Sequence, residues 1–387
     1  MTIDTLLTKG VEEIIDKKHL ESALKSGKKL RVKLGIDPTS PNIHIGRAVG
    51  LWKLRAFQEL GHTAIFIVGD FTGVIGDTSD KDSERPILTE AQVKSNLRTY
   101  FKQAYKILDK NKTEVYHNSQ WLKKLKILEL AKIANLFGLH EFEAREVIAK
   151  RMKEGKRVSF NEVLYPAFQG YDSVAVKADV ELGGTDQRFN LLIGRRVQEF
   201  YGQKPQDIIM LSIMEGTDGR KMSSSWGNVI NLTDDPDNMF GRIMSIPDNL
   251  IEKYFLLATP LAQQEVDQII KSHTNPKDQK EILAKTIVGL YHSEKVAAAA
   301  QNNFEKKFGK GHGEIKADFE LKKAGGKYVV TELLVTGKLA ISKGEAKRKI
   351  REGAVEIDGK KIDNIHAVAE VKKNSLIRLG KRFLRIK

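Results

Sequence analysis

The spacing of apolar residues changes between two patterns in the first part of the chain. Residues 30–36 and 64–68 are short, mainly apolar runs that predict strands. Between them, residues 46–60 repeat apolar side chains at helical spacing. A strand, a helix and a second strand in this order form a βαβ unit, so we expect the two strands to be parallel.

The same alternation returns later in the chain. Strands are predicted over 180–182 and 207–211, with a helix over 186–201 between them. The intervening residues 90–170 have mainly helical spacing and are too numerous for a simple crossover, which indicates an insertion between the two halves of the sheet. Residues 1–28 carry an apolar stripe that predicts an N-terminal packing helix.

These elements predict an α/β protein built on a Rossmann-like, doubly wound parallel sheet. The first domain is expected over residues 1–230, with the helical insertion at about 80–170. Residues 231–308 predict a helical domain, which begins at the Asp-Asp-Pro of 234–236. The glycine-rich residues 309–324 read as a linker, and residues 325–387 as a small α+β domain.

Charge is concentrated at the C-terminal end. The chain carries a formal net charge of +15, and residues 321–387 hold 18 Lys+Arg against 7 Asp+Glu. That segment therefore carries +11, which leaves +4 for the first 320 residues. A basic excess confined to one domain indicates a polyanion, and nucleic acid is the expected partner.

Two compositional features restrict the class of protein. Cysteine is absent, which excludes a disulfide framework and a thiolate metal site and fits a reducing cytoplasm. No apolar run reaches membrane-spanning length, and residues 1–25 are too polar for a signal peptide. We therefore expect a cytoplasmic protein without a membrane segment.

Candidate chemistry lies where the first predicted strand meets its helix, over residues 35–47. Asp-Pro-Thr and Ser-Pro-Asn are turn sequences, and they bring His44 and Gly46 to the start of the helix. Backbone amides and the helix dipole favour an anion there, and Gly46 lets a flat ring approach the backbone. An ordinary strand–helix turn with a solvated histidine is the competing interpretation.

A second candidate segment is Lys-Met-Ser-Ser-Ser at residues 221–225. It follows Gly219 and Arg220 and precedes Gly227, so it is predicted to be a flexible, cationic, hydroxyl-rich loop. Such a loop suits a mobile clamp on polyphosphate. Taken alone, it reads equally as an exposed polar loop.

Together the two segments resemble the paired signatures of class I aminoacyl-tRNA synthetases, usually written HIGH and KMSKS. Further segments resemble one family in particular, the bacterial tyrosyl-tRNA synthetases. The matching segments lie at residues 69–77, 165–166, 169–173 and 183–187, and the resemblance spans nearly the whole chain. It implies that tyrosine is activated with ATP and passed to tRNA(Tyr), with Mg²⁺ arriving on ATP and no dedicated protein metal site.

The resemblance also assigns roles to residues of the nucleotide site. His44 and Thr39 are implied to contact the phosphates, Gly46 to lie under adenine, Lys221 to neutralise the departing pyrophosphate, and Asp186 to bind the ribose. The remaining residues matched to this site are Gly35, Asp37 and Met222. No nucleophilic side chain is required, so positioning and electrostatics would carry catalysis.

Tyrosine recognition is implied to depend on a second group of residues. Tyr165, Gln169 and Asp172 are spaced to share one helix face. By resemblance, Asp172 accepts the phenol hydroxyl proton, Asp77 joins Tyr165 and Gln169 on the α-ammonium, and Gln187 also holds the substrate. Any one of these carboxylates could equally be a helix cap or a surface charge.

Three positions depart from the usual family pattern. Arg47 replaces the second histidine of the first signature, and Ser224 replaces the second lysine of the second. Both remain candidate catalytic residues, and the hypothesis is that Arg47 supplies the charge that Ser224 lacks. Lys33 stands where many relatives have a tyrosine that contacts the substrate hydroxyl, so the pocket is completed differently here.

The C-terminal domain has its own predicted elements. Residues 331–339 read as a short apolar helix, residues 355–362 as a hairpin and residues 376–379 as a strand. A helix over 342–350 places its basic residues on one face, and this module resembles an RNA-binding domain named after a ribosomal small-subunit protein. The predicted RNA-binding residues are Lys343, Lys347, Arg348 and Arg351.

Two other functions remain open at this point. A tryptophan–tRNA ligase shares the fold, although the long chain and basic tail argue against it. A non-catalytic RNA-binding homologue is supported only by Arg47 and Ser224. The family is usually homodimeric, the helical domain is implied to lie on the anticodon side, and the apolar residues 127–137 are the candidate interface.

Overall fold

The computed structural model describes residues 1–78, 88–308, 317–322, 325–380 and 382–387. They form two compact units, Met1–Gln301 and Asn302–Lys387. Among the described residues, no helix is both long and apolar enough to cross a membrane.

A six-stranded sheet organises the first unit. Its strands occur in the order β1-β6-β5-β2-β3-β4. The last five run parallel, whereas β1 pairs antiparallel with β6 at one edge. In chain order they are β1 (Val11–Ile15), β2 (Arg31–Ile36), β3 (Thr63–Val68), β4 (Thr113–His117), β5 (Val180–Gly184) and β6 (Asp207–Leu211). The strand order reverses between β2 and β5, which is where an open α/β sheet leaves a crevice for a ligand.

Helices cover the faces of this sheet and complete the first half of the unit. They are α1 (Ile3–Thr8), α2 (Lys17–Lys25), α3 (Ile45–Glu59), α4 (Thr72–Ile75), α5 (Glu90–Leu97), α6 (Tyr100–Ala104), α7 (Ser119–Leu122), α8 (Ile127–Ala134), α9 (Leu139–Glu143), α10 (Glu146–Lys153), α11 (Phe160–Val176) and α12 (Arg188–Phe200). α3 connects β2 to β3, and α12 connects β5 to β6, so the predicted parallel α/β sheet is confirmed.

The prediction of a helix over residues 1–28 is wrong. Gly10 has φ +64, a conformation that ends α1, and Val11–Ile15 then form β1. Val11, Ile14 and Ile15, which suggested a continuous helical stripe, instead belong to the edge strand that pairs with β6. The segment 90–170 also contains β4 at the opposite edge, so it is not only a helical insertion.

Helices follow the sheet, and up to Gln301 they belong to the same compact unit as the sheet rather than to a separate domain as predicted. They are α13 (Pro236–Met244), α14 (Ile251–Ala258), α15 (Gln263–Ser272), α16 (Pro276–Tyr291) and α17 (Glu294–Phe308). The predicted start is confirmed: the Asp235 side chain accepts from the Asn238 amide, and Pro236 occupies the first helical position.

The C-terminal unit combines two helices with two small sheets around its own core. Its helices are α18 (Val330–Thr336) and α19 (Lys343–Arg351), and its strands are β7 (Phe319–Leu321), β8 (Gly326–Val329), β9 (Val355–Ile357), β10 (Lys360–Ile362), β11 (Val368–Val371), β12 (Leu376–Leu379) and β13 (Arg382–Ile386). The sheet orders are β10-β9-β12-β13-β7 and β11-β8. Buried side chains such as Leu334, Ile350 and Leu384 form the core.

The predicted hairpin is confirmed. Asp358 and Gly359 both have positive φ, as a two-residue hairpin turn requires. Most of the predicted linker 309–324 lies outside the described residues. Within 309–324 the structure places β7, which pairs in parallel with β13.

Candidate active site

One cavity of about 810 Å³ opens at the carboxyl ends of the parallel strands, where β2 and β5 diverge. It gathers every residue that the sequence analysis assigned to ATP or tyrosine, from five separate parts of the chain. These are Gly35, Asp37, Thr39, His44, Gly46, Arg47, Asp77, Tyr165, Gln169, Asp172, Asp186, Gln187, Lys221, Met222 and Ser224.

Arg47 braces the turn that follows β2. Its guanidinium donates to the Asp37 carbonyl oxygen at 3.1 Å and to Thr39 Oγ1 at 2.9 Å. A third bond, 2.6 Å long, reaches the hydroxyl of Tyr100. The Arg47 guanidinium is therefore engaged in hydrogen bonds that hold Thr39 at the cavity wall.

His44 and Gly46 form the helix-start corner of the cavity. His44 is the N-cap of α3, and its Nδ1 accepts from the Arg47 amide at 3.3 Å. A neutral ring that accepts at Nδ1 carries its proton on Nε2. The Met222 sulfur lies 3.4 Å from the Gly46 amide, and a Cβ on Gly46 would crowd both Met222 and His44. The two signature segments thus meet at Gly46.

Asp37 links the same turn to the long helix α11. Its carboxylate accepts from Thr72 Oγ1 at 2.7 Å and from the Tyr165 hydroxyl at 2.9 Å. Burial, reinforced by nearby carboxylates, raises the pKa of Tyr165 well above its usual value, so the phenol stays protonated. Gly69 is required beside this group, because a Cβ there would overlap Asp37 and Thr72.

Asp172 lies one helical turn beyond Gln169, at the closed end of the cavity. The carboxylate accepts from Trp121 Nε1 at 2.7 Å and from Asn118 Nδ2 at 3.2 Å. Burial raises the pKa of Asp172 to about 7, while Lys33, Trp121 and Asn118 oppose the shift. Two fixed donors thus orient an acceptor that titrates near neutral pH.

Lys33 and Glu181 form a buried ion pair on the floor of the cavity. The ammonium lies 2.9 Å from Glu181 Oε1, and each residue is 1% exposed. Lys33 also donates to Ser173 Oγ at 2.7 Å and to the Gln169 carbonyl at 3.1 Å. The pair thereby ties two strands to the helix that carries the predicted tyrosine-binding residues.

The remaining predicted acids face the residues around the end of β5. Gln187 Nε2 donates to Asp77 at 2.6 Å, and Asn190 donates to Gln187 Oε1 at 3.1 Å. Lys221 Nζ lies 3.2 Å from Asp186 Oδ2. These contacts connect residues that were predicted to bind the nucleotide with residues that were predicted to bind the amino acid.

The segment 216–228 is anchored by Asn228. Its side chain accepts from the Ser223 amide at 2.8 Å and donates to Asp218 at 2.7 Å and to the Lys221 carbonyl at 3.1 Å. Ser224 is exposed on a short 3₁₀ turn, Ser224–Trp226. The Asn228 side chain therefore ties together the parts of the loop on both sides of Lys221.

Several residues of this site were missed from sequence. Asn118 and Trp121 follow β4, a strand that was missed because residues 90–170 were predicted to be mainly helical. Glu181 did give a signal, since it is a charge inside an apolar strand directly opposite Lys33 in the β2–β5 register. Thr72 lies in the matching segment 69–77 but was assigned no role, and Asn228 gave no signal beyond being a polar residue in a predicted loop.

The predicted RNA-binding residues lie in the other unit, on α19. Ala346 and Ile350 bury one face of this helix. Lys343 is 63% exposed and pairs with Glu332, while Arg348 is 67% exposed. Lys347 is half-buried, and Arg351 is exposed. α19 therefore presents a basic face away from the core.

Two family models match most of the chain. The family model of class I tRNA synthetases (W and Y) matches residues 25–309. The model of the tyrosine–tRNA ligase SYY-like C-terminal domain matches residues 317–384.

Two curated relatives and one solved structure are similar to the chain over most of its length. Tyrosine–tRNA ligase of Thermotoga maritima is 44% identical over 98% of this chain and 96% of its own length. That of Carboxydothermus hydrogenoformans is 45% identical with the same coverage. A crystal structure of Archaeoglobus fulgidus tyrosyl-tRNA synthetase matches with a TM-score of 0.62 at 22% identity, covering 77% of this chain and 98% of that one. The chain belongs to the tyrosine–tRNA ligases of the class I aminoacyl-tRNA synthetase family.

Proposed function

We propose that this enzyme activates L-tyrosine with ATP and transfers the tyrosyl group to tRNA(Tyr). A tyrosine carboxylate oxygen attacks the α-phosphate, and pyrophosphate leaves. The terminal ribose hydroxyl of tRNA then attacks the acyl carbon, and AMP leaves. The observation that carries the proposal is the oriented, buried carboxylate of Asp172 at the closed end of the cavity that Lys221 and His44 also line.

The amino-acid end of the cavity suits a phenol. Trp121 and Asn118 hold the Asp172 oxygens, so the remaining lone pairs accept the tyrosine hydroxyl proton. An analogue without the hydroxyl would leave this buried acceptor without its substrate bond, which disfavours phenylalanine. Asp77, Tyr165, Gln169 and Gln187 are assigned to the remainder of the substrate, with the first three at its α-ammonium.

The nucleotide end combines donors with a close-packed wall. His44 Nε2–H and Thr39 are placed to donate to phosphate oxygens, with Thr39 held by Arg47. Gly35, Asp37, Gly46 and Met222 form the wall around the nucleotide, and Asp186 is assigned to the ribose. Ser224 supplies no cation, and Arg47 is engaged at the turn, so Lys221 is the clamp on the pyrophosphate.

Magnesium is assigned to ATP rather than to a protein cage. Asp37 and Asp77 accept from protein donors, and Asp186 pairs with Lys221, so these carboxylates are already engaged. In the described part of the chain, Asp16, His19 and Asp207 approach each other closely enough to share a cation, but they do not line the cavity. The ion's contribution would be to neutralise phosphate charge.

Pyrophosphate exchange into ATP tests the proposed activity. The intact enzyme is assayed with tyrosine, tryptophan or phenylalanine as the only amino acid. We expect exchange with tyrosine alone. Exchange with tryptophan would favour the related ligase, and no exchange with any of the three would favour a non-catalytic homologue.

Lys221→Ala should lower the maximal rate of adenylate formation more than it weakens ATP binding. A charge that acts on the departing pyrophosphate stabilises the transition state selectively, and losing one such group costs about 100-fold or more in rate. Single-turnover kinetics at varied ATP concentration separates the two effects. The control is Arg220→Ala, which removes the adjacent cation, one that pairs with Asp218 outside the cavity. A change confined to the ATP dissociation constant would contradict the clamp.

We also propose that the enzyme is a cytoplasmic homodimer that pairs through α8. One side of this helix buries Ile133 and, just beyond it, Phe137, while Ile127 and Leu128 are 88% and 70% exposed. Large apolar side chains at such exposure mark an interaction surface when they adjoin one another.

Replacing Ile127 and Leu128 together by lysine should convert the dimer to a monomer. Sedimentation velocity measures the change directly. The matched control is Ile341→Lys, which places the same charge on a side chain that is 89% exposed in the C-terminal unit. A double variant that sediments like wild type would assign the interface elsewhere.

A further inference from the structure

The ion pair beneath the tyrosine pocket occupies an unusual position. Lys33 and Glu181 lie opposite each other on adjacent parallel strands, in the centre of the sheet. The remaining positions of β2 and β5 on this stretch are apolar, including Val32, Leu34 and Leu182. Two apolar residues of similar size would fill the same space without the cost of desolvating two charges. The pair therefore calls for a functional explanation.

The Lys33–Glu181 pair is hydrogen-bonded to α11, the helix that carries the predicted tyrosine-binding residues. Glu181 Oε1 accepts from Gln169 Nε2 at 3.1 Å, and Glu181 Oε2 accepts from Ser173 Oγ at 3.1 Å. Gln206 donates to the same oxygen. Since Lys33 also donates to the Gln169 carbonyl and to Ser173, both sides of Asp172 on α11 are fixed by the pair.

The charges of the pair reach Asp172 itself. The Lys33 ammonium holds down the pKa of this carboxyl, whereas the Glu181 carboxylate raises it, and burial raises it more than either. Tyr165, which also faces the site, stays protonated. The other titratable groups that line the cavity are Asp37, Asp77, Asp186, His44, Arg47 and Lys221. Lys33 is thus the cation that favours an ionised Asp172 at the phenol end.

We propose that Lys33 is a specificity-determining residue: paired with Glu181, it positions α11 and keeps Asp172 an anion that can accept the substrate hydroxyl. The inference rests on the proposed tyrosine activation. In many relatives, a tyrosine at this position contacts the substrate hydroxyl with its own hydroxyl group. In this chain the buried cation of Lys33 takes that role. Lys33 acts on Asp172 through its electric field and through its hydrogen bonds to Ser173 and Gln169. It is therefore a positioning residue.

Two substitutions in the full-length enzyme test the inference because they predict opposite results. In wild type, kcat/KM for tyrosine should fall as the pH drops below about 7, since it reports the free enzyme. Lys33→Met should move this acid limb upward by about one pH unit, which lowers kcat/KM about tenfold on the acid side. Glu181→Gln keeps the size and shape of the side chain, removes the opposing charge and should move the limb downward.

Reference measurements isolate Asp172 from other titrations. The kcat/KM for ATP at saturating tyrosine is measured in parallel. Any titration of His44 or of the phosphates would change this parameter too, so it can be distinguished from a titration of Asp172. Lys53→Met is the matched control, because Lys53 is also buried and bonded to carbonyl oxygens but lies outside the cavity. It should leave the acid limb in place.

A purely structural role gives a different pattern. Both substitutions would then lower kcat/KM equally at every pH, and this outcome, or limbs that move in the same direction, overturns the inference. If Lys33→Met does not fold, Glu181→Gln decides alone, since a limb that does not move downward refutes the role. Wild-type enzyme without tyrosine-dependent exchange would refute the proposed activity itself, which keeps the two failures distinct.

Discussion

Asp172→Asn should lower kcat/KM for tyrosine activation about 100-fold while ATP binding stays near the wild-type value. Hydrogen bonds to a charged group contribute about 1.5–3 kcal/mol each, and asparagine removes the charge. It also turns an amide NH₂ toward a donor, either Trp121 Nε1 or Asn118 Nδ2, whichever way the side chain is oriented. The loss should therefore exceed that of a single hydrogen bond.

Steady-state exchange kinetics with tyrosine, together with equilibrium binding of ATP, measures this effect. Asp70→Asn is the matched control, since Asp70 is also bonded to neighbouring side chains but does not line the cavity. The acid limb of the tyrosine profile should disappear in Asp172→Asn and persist in the control. An equal loss of ATP affinity would place Asp172 outside the amino-acid pocket.

The sequence predicted the parts of the fold that local patterns determine. β2, α3 and β3 follow from short apolar runs and helical spacing, and the turn after β2 was placed by its prolines and glycines. α11 carries Tyr165, Gln169 and Asp172 on one face because helical spacing alone fixes that relation.

The misses depend on partners distant in the chain. β1 is five residues long and pairs with β6, about 200 positions away, so only the folded sheet distinguishes it from a helix. β4 is an edge strand that lies between helices in the sequence, and it was not predicted. Asn118 and Trp121, which follow it, were therefore not identified. Lys33 was identified as a departure from pattern, but its partner Glu181 emerges only from the register of two strands separated by the whole insertion.

Removing residues 317–387 should spare adenylate formation and lower the charging of tRNA about 100-fold. All the residues that line the cavity belong to Met1–Gln301, whereas the C-terminal unit has a core of its own. The cut lies before β7, because Phe319 and Leu321 pack on that core and would be stranded by a later cut. Residues 321–387 carry +11 of the +15, and phosphate contacts dominate affinity for nucleic acid.

A milder change separates lost charge from a lost domain. Replacing Lys343, Lys347 and Arg351 by glutamine leaves the buried Ala346 and Ile350 of α19 in place, so the unit should remain folded. Binding of tRNA should weaken, and its dependence on salt should become less steep because fewer counterions are released. The control replaces Lys360 and Lys361, which are exposed on β10 rather than on α19. Pyrophosphate exchange should be normal in the truncated, triple and control variants alike. Full charging by the truncated enzyme at ordinary tRNA concentration would mean that the basic face of α19 binds something other than substrate RNA.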